Sequence, residues 1–350
     1  MTAAGLRVAV YGAGAMGTVL GALLTKGGCQ NVELITRNEK HVTALKEKGA
    51  IVRCTAENQT LKVAVNALLP DQMQGKYDVV FLMTKQRNNA ETLQNLLPFL
   101  HENSIVCTTQ NGLPEPSVAE VVGEKRTYGA VTSFGATFVG GGEVEMTSRF
   151  EAMSMEIGGY QNDGEKTALL TEILTHAGTA VGNESFVKTT QNLAGARWSK
   201  LAINAAFSGL STVTGLTFGQ VAKRRKTRKI ALAVIRECIA VAHADGVALA
   251  KLQGANMVKW LGGKSLMKRA VAYLALPYAM RKHKKLLSGM LMDVQRGRKC
   301  EIDFINGLVC REGKRLGIET PMNTRLTDMV HGIENGLYEI DYQNVDFFEV

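Results

Sequence analysis

The side chains best suited to chemistry lie in two stretches of the second half of the chain. In Ala196-Arg197-Trp198-Ser199-Lys200-Leu201-Ala202-Ile203-Asn204-Ala205-Ala206-Phe207-Ser208, the polar residues Lys200, Asn204 and Ser208 recur every fourth position. On a helix that spacing puts an ammonium, an amide and a hydroxyl on one face, all able to donate hydrogen bonds. They stand among Leu, Ala, Ile and Phe, and a lysine in apolar company is costly to bury unless it has a partner or a task. The other reading is a lysine whose head snorkels to water. The second stretch runs from Ser288 to Gly307, where Glu301 follows a basic run and opens an apolar helical pattern. A carboxylate is stabilised near a helix N-terminus, so Glu301 reads equally as a cap. Asp303 and Asn306 close behind it read as caps or local partners.

Near the other end of the chain, Arg7-Val8-Ala9-Val10-Tyr11 runs directly into Gly12-Ala13-Gly14-Ala15-Met16-Gly17. A short apolar strand, a Gly-x-Gly-x-x-Gly loop and a helical pattern in that order read as a dinucleotide-binding turn. Gly12 makes the tight turn, Gly14 lets backbone approach a pyrophosphate, and Gly17 lets the helix lie close to the strand. The helix N-terminus then offers N–H groups and the positive end of its dipole to phosphates. The second strand, Val32 to Thr36, is followed by Arg37 and Asn38, with Lys40 nearby. About 20 residues past the first glycine, an Asp or Glu would serve the ribose hydroxyl of NAD. Arg37 suits a 2′-phosphate instead, which favours NADP(H); its bland reading is an exposed turn residue.

These residues need a scaffold, and the periodicity supplies one. Helices are expected at 15–26, 41–48, 89–100 and 165–178, and strands at 7–11, 32–36, 77–85 and 104–109, with a strand-rich stretch between residues 48 and 68. Thr84 and Lys85 fall at the carboxyl end of one strand and Asn111 at the end of another, where open parallel sheets bind ligands. Asn111 precedes Gly112 and also reads as a turn residue. The runs 127–139 and 143–147 look like two antiparallel strands joined by Gly140–Gly142, and 151–158 like another. The alternation makes residues 1–187 a doubly wound α/β domain. From 188 to 350 strand signals vanish, and helical patterns at 190–207, 217–245, 251–287, 288–316 and 322–335 indicate an all-α domain.

Bulk properties narrow the function class. The 350 residues are 45% hydrophobic and 21% charged, as in an ordinary globular protein. No basic leader with a long apolar core opens the chain, and the longest apolar candidate, Ala270 to Met280, is too short to span a membrane and contains Pro277. Six cysteines are scattered without a C-x-x-C pair, so neither a metal centre nor a disulfide framework is expected; reduced thiols in a cytoplasmic protein are. The net charge is +9. The basic runs Lys223 to Lys229 and Arg281 to Lys285 lack interleaved aromatics and belong to no nucleic-acid module, so nucleic acid is not an expected partner. A basic protein also attracts anionic ligands.

Taken together these stretches resemble the ketopantoate reductase family (2-dehydropantoate 2-reductase). The resemblance is carried by Gly-Ala-Gly-Ala-Met-Gly at 12–17, Thr84–Lys85, Gln110-Asn111-Gly112, Phe134-Gly135-Ala136-Thr137, Trp198-Ser199-Lys200-Leu201 with Asn204, and Glu301-Ile302-Asp303-Phe304-Ile305-Asn306-Gly307. It implies a Rossmann-type domain followed by a helical domain similar to that of 6-phosphogluconate dehydrogenase, with the site between them. It implies NADPH-dependent reduction of a small 2-oxo acid, ketopantoate to pantoate, in pantothenate biosynthesis. Lys200 matches the general acid. Asn111 matches a contact to cofactor and substrate, Asn204 a substrate partner, Lys85 and Ala136 cofactor contacts, and Glu301 a carboxylate that touches the cofactor and positions the catalytic groups. Two positions depart from the family: Ser208 stands where Asn is usual, and Gly289 where a substrate-bonding Ser is usual, with Ser288 one residue earlier. They open the alternative of another 2-oxo or 2-hydroxy acid; a non-catalytic NADP(H)-binding sensor would need neither Lys200 nor Glu301. The segment 254–287 is longer than the family norm. It reads as an added helical element on the second domain or at a homodimer interface, with a membrane-surface role, short of insertion, as the alternative.

Overall fold

Among the described residues the chain forms twelve strands: β1 (Arg7–Tyr11), β2 (Asn31–Ile35), β3 (Ala50–Cys54), β4 (Gln59–Val63), β5 (Asn66–Leu68), β6 (Tyr77–Leu82), β7 (Leu100–Thr108), β8 (Thr127–Thr132), β9 (Ala136–Gly140), β10 (Glu143–Met146), β11 (Met155–Gly159) and β12 (Val187–Thr189). The computed structural model describes residues 5–161, 164–251, 261–263 and 265–349. Eight strands make one sheet in the order β12-β11-β8-β7-β6-β1-β2-β5. β1 pairs in parallel with β2 and β6, and parallel pairing continues to β5 on one side and through β7 to β8 on the other. Near-continuous burial of β1, β6 and β8 is what a sheet covered on both faces requires. The crossover helix α1 (Ala15–Lys26) returns the chain from β1 to β2, and α2 (Glu39–Lys48), α3 (Asn89–Leu96), α4 (Glu115–Val122) and α5 (Gly164–Thr179) are the further helices that alternate with the strands. This is the doubly wound, Rossmann-type arrangement expected from the alternation of elements.

The run 127–139 is not one strand. β8 joins the main sheet, parallel to β7 and antiparallel to β11, while β9 pairs with β10 in a separate four-stranded sheet of order β4-β3-β10-β9. β8 is buried at all six positions, whereas no residue of β9 is. One continuous strand could not serve both environments, and the chain changes sheets at Ser133–Gly135.

By its internal contacts the chain forms two units, Met1–Gln110 with Pro114–Leu193, and Asn111–Leu113 with Ala194–Val350. The division falls at 193/194 rather than 187/188, because β12 still pairs with β11. The second unit contains α6 (Leu193–Thr214), α7 (Phe218–Lys223), α8 (Arg225–Ala244) and the helices Leu266–Ala279, Gly289–Gln295, Asn306–Leu316 and Pro321–Glu334. Its core gathers Trp198, Phe207, Leu210, Ile230, Ile235 and Leu326.

Three helical boundaries differ from expectation. α6 does not stop at residue 207 but continues through Ser208 and Gly209. A helical glycine costs only about 1 kcal/mol relative to alanine, and here its bareness admits a neighbour: a Cβ on Gly209 would lie 3.2 Å from Asn306 Oδ1. The 217–245 pattern breaks at Arg224, whose extended backbone caps α8. The 288–316 pattern is interrupted after Gln295; Gly297 takes a left-handed φ of 66°, and only a 3-10 turn at Ile302–Phe304 precedes the next helix. Of the expected helix 251–287, residues 252–260 and 264 lie outside the described residues, and the described part is a helix over Leu266–Ala279 followed by a 3-10 turn at Met280–His283.

Candidate active site

In the sheet unit the glycine loop leaves β1 at the point where the sheet order reverses, the usual ligand crevice of such sheets. Gly12 and Ala13 both donate from backbone N–H to Ile35 O, at 2.9 Å each, so the loop is pinned to the end of β2. The three glycines have different physical reasons. Gly12 has φ +107°, and a Cβ there would come within 2.6 Å of the Met83–Thr84 backbone. A Cβ on Gly17 would meet Gly12 O at 2.4 Å, which no helix so placed could tolerate. At Gly14 a Cβ would meet nothing within 4 Å, and α1 starts there with no side-chain cap. A bare, open approach over an uncapped helix N-terminus fits a dinucleotide pyrophosphate, which the backbone of Gly12, Ala13, Gly14, Ala15, Met16 and Gly17 could hold.

Arg37 lies exposed just past β2 and makes no ion pair among the described residues. It is near enough to act on the Tyr11 hydroxyl, whose pKa burial pushes up and Arg37 draws down. Asn38 is a helix cap: its Oδ1 accepts from His41 N at 3.1 Å. Lys85, half-buried, heads a 3-10 turn beyond β6. Ala136 begins β9 in the second sheet and packs on the core of the sheet unit.

Asn89, which the sequence does not single out, and Gln110 of the Gln110-Asn111-Gly112 motif hold this edge in place. Gln110 Nε2 donates to Thr84 O at 2.7 Å and to Asn89 Oδ1 at 2.6 Å, and Asn89 Nδ2 donates back to Gln110 Oε1 at 3.0 Å. Thr108 Oγ1 also donates to Gln110 Oε1, at 3.0 Å. The two buried amides therefore lock the carboxyl ends of β6 and β7. The signal was there to read, since polar residues following two apolar strands must find partners when buried.

In the helical unit, every residue of α6 between Gly195 and Thr214 is buried except Lys200, Ile203, Asn204 and Ser208. The polar strip expected at four-residue spacing is thus the partly accessible face of an otherwise enclosed helix, and within it the Lys200 ammonium itself is buried. Lys200 is under strong perturbation. Burial and the neighbouring Arg197 guanidinium push its ammonium down to about 7, and Glu301 partly offsets them. Arg197, 2% exposed, is a further residue to which the sequence alone assigns no role. A lysine poised near neutrality is suited to giving or taking a proton. Glu301 is half-buried and precedes the 3-10 turn rather than opening a helix.

Asp303 is exposed and pairs with His331 Nε2 at 3.0 Å. Asn306 belongs to a buried network: its Nδ2 donates to Ala205 O at 3.1 Å and to Asn323 Oδ1 at 3.0 Å. Glu237 accepts from Met322 N, Asn323 N and Asn323 Nδ2 at 2.7–2.9 Å. This chain of bonds fixes α6 at Ala205, one residue from Asn204. A lone carboxylate inside the apolar run of α8 was its sequence signal.

Ser288 is 1% exposed, and its Oγ accepts from Met290 N at 3.1 Å, capping the helix Gly289–Gln295. Its backbone N–H donates to Ser211 Oγ of α6 at 3.2 Å. Gly289 is exposed, with nothing within 4 Å of the position a Cβ would take. Asn111 is half-buried in the stretch Asn111–Leu113 of the helical unit, before Gly112 at φ +80°. The structure thus gathers Gly12 to Gly17, Arg37 and Lys85 at the strand ends of one unit, and Lys200, Asn204 and Ser208 on one helix face of the other. Among the described residues no cluster of three His, Cys, Asp or Glu side chains could hold a metal ion.

Comparison with known proteins adds an independent line. The family model described as Ketopantoate reductase PanE/ApbA matches residues 8–161, and its C-terminal counterpart matches residues 192–334. The chain is 27% identical over 332 residues to the 2-dehydropantoate 2-reductase of Lactococcus lactis, covering 94% of this chain and 98% of that one. A PanE/ApbA family ketopantoate reductase from Ralstonia eutropha JMP134 superposes with a TM-score of 0.76 at 28% identity, over 95% of this chain and 99% of that one. A D-mandelate dehydrogenase solved with NADH and anilino(oxo)acetate shares the fold, with a TM-score of 0.78 at 23% identity and the same coverage.

Proposed function

The chain belongs to the ketopantoate reductase family, and from that premise we propose that it is an NADPH-dependent reductase of a small 2-oxo acid in the cytoplasm, 2-dehydropantoate foremost, forming pantoate for pantothenate biosynthesis. The observation that carries the reading is the polar strip of α6, where a lysine whose buried ammonium is depressed to about 7 stands one turn from an amide. NADPH supplies the hydride that adds to the keto carbon. The carbonyl oxygen then carries the electron pair of the broken π bond and needs a proton. Lys200 holds that proton at Nζ and transfers it to the oxygen, so no free alkoxide forms. Glu301 favours the charged form of Lys200 before transfer, and Asn204 and Asn111 hydrogen-bond the substrate. Asn111, Lys85, Ala136 and Glu301 also contact the cofactor.

Arg37 supports NADPH over NADH, because an exposed guanidinium at the end of β2, with no ion pair among the described residues, can pair bidentately with a 2′-phosphate. Arg37→Asp is expected to weaken NADPH at least tenfold while sparing NADH, as read by fluorescence titration with each cofactor; unchanged NADPH affinity excludes this role. Ser208 and Gly289 favour a second reading, the same reaction on a different 2-oxo or 2-hydroxy acid. A panel of 2-oxo acids, followed by loss of NADPH absorbance, separates the two: turnover concentrated on ketopantoate supports the first, turnover elsewhere the second. Tight cofactor binding without turnover on any member excludes both. A homodimer is part of the reading carried over from the family, and sedimentation velocity tests it.

A further inference from the structure

The excess of cations over carboxylates in this chain falls within one segment, although the basic run Lys223 to Lys229 lies outside it. Between Gly246 and Met292 there are nine Lys and Arg and no Asp or Glu, while the rest of the chain holds 32 of each sign. The whole net charge of +9 therefore resides there. The same segment carries an apolar face that nothing in the described structure covers.

The helix Leu266–Ala279 has two opposite faces. Ala272 and Leu276 are each 1% exposed and enter the core of the helical unit, followed by Met280. Arg228 of α8 holds this side: its guanidinium lies over the Tyr273 ring at 4.4 Å, and its Nη1 donates to Tyr273 O at 3.4 Å. That carbonyl is the one Pro277 leaves without its helical donor. On the other side Met267, Val271, Leu274 and Tyr278 are exposed by 77%, 43%, 73% and 67%. At 3.6 residues per turn their directions fall within an arc of about 60°, centred opposite the buried residues. Such a contiguous stripe differs from the scattered apolar residues of an ordinary surface. Around it Lys268, Arg281, Lys284 and Lys285 are exposed, with Arg281 stacked on the Tyr278 ring at 4.1 Å.

We propose that this face docks the protein on a lipid bilayer bearing anionic headgroups, with the stripe in the headgroup–acyl boundary and the surrounding cations on the lipid phosphates. An apolar face beside cations without carboxylates is the pattern of helices that lie in a membrane interface. Charge decides against a second copy of the chain as the occupant. Stripe-to-stripe pairing would bring two acid-free, nine-cation segments together with no carboxylate between Gly246 and Met292 to answer them. Docking is also distinct from spanning, since the helix has 14 residues and about 20 are needed to cross.

The test is flotation of the full chain with vesicles of phosphatidylcholine alone, and with vesicles containing about 30% phosphatidylserine. The expected result is binding to the anionic vesicles only, released at about 1 M sodium chloride. Leu274→Glu should lower the anionic-vesicle partition at least tenfold, as should Lys284→Glu with Lys285→Glu. These side chains are exposed, so circular dichroism and reductase activity should stay at wild-type values. Three results overturn the proposal: no binding to anionic vesicles at low salt, equal binding to both vesicle types, or unchanged binding by the variants. A dimer abolished by Leu274→Glu, together with absence of vesicle binding, overturns it in favour of self-association.

Discussion

Lys200 is held among opposed influences: burial and Arg197 disfavour its charge, and Glu301 favours it. A general acid must be protonated before it acts. With the group depressed to about 7, reduction should slow about tenfold per pH unit above that value in kcat/KM, and oxidation of the hydroxy acid should show the opposite slope. The same perturbation sets a stability cost with a definite sign. The unfolded lysine takes its proton near 10.5 and the folded one near 7, so folding is penalised as pH falls through that window and fully so below it. Lys200→Met should therefore stabilise the protein on the order of 1–2 kcal/mol near pH 6, allowing for partial solvent screening, and should give no gain near pH 11. Denaturant melts at the two pH values check this. Legibility at this scale was uneven. Lys200, Asn204 and Ser208 stood out because a four-residue spacing is a local property. Arg197 did not, because its effect depends on burial, which one helix cannot reveal.

At the scale of elements, the glycine loop separates folding from binding. Gly17→Ala should destabilise the sheet unit, since the new methyl would meet the Gly12 carbonyl, whereas Gly14→Ala adds a methyl where the protein has no atom within 4 Å. Thermal melts should show a loss for the first and near-wild-type stability for the second, with cofactor affinity falling at least tenfold for Gly14→Ala. Wild-type affinity in Gly14→Ala would remove the pyrophosphate from that loop. The helix Gly289–Gln295 offers the matching experiment on the substrate side. Gly289 has a negative-φ helical backbone and open space, so Gly289→Ser fits, and with Ser208→Asn it restores the residue types usual in the family. The double variant should lower the KM for ketopantoate relative to other 2-oxo acids. Periodicity located β1, α1, β2, β6 and the helical half. It missed the parting of β8 from β9, because alternation along a strand says nothing of which sheet the strand joins. It also ended α6 too early, at residue 207; at Gly209 the helix continues, and close approach of Asn306 explains the glycine.

At the scale of the whole molecule, an α/β unit and a helical unit were legible from the change in element types, and the family models match on both sides of that change. The assignment of Asn111–Leu113 to the helical unit was not legible, because it is a long-range contact of a short loop; Leu113 packs on that unit's core. Net charge was legible as a total, but its meaning lay in where it is concentrated. The central claim joins the two units in one reaction: a dinucleotide on the glycine loop and a proton from Lys200. Its most direct test is steady-state turnover of ketopantoate with NADPH by the wild type and by Lys200→Ala, each shown to be folded and to bind NADPH. The account predicts NADPH-dependent turnover by the wild type and a loss of at least 100-fold in kcat for Lys200→Ala with cofactor affinity retained. Full activity in Lys200→Ala would contradict it.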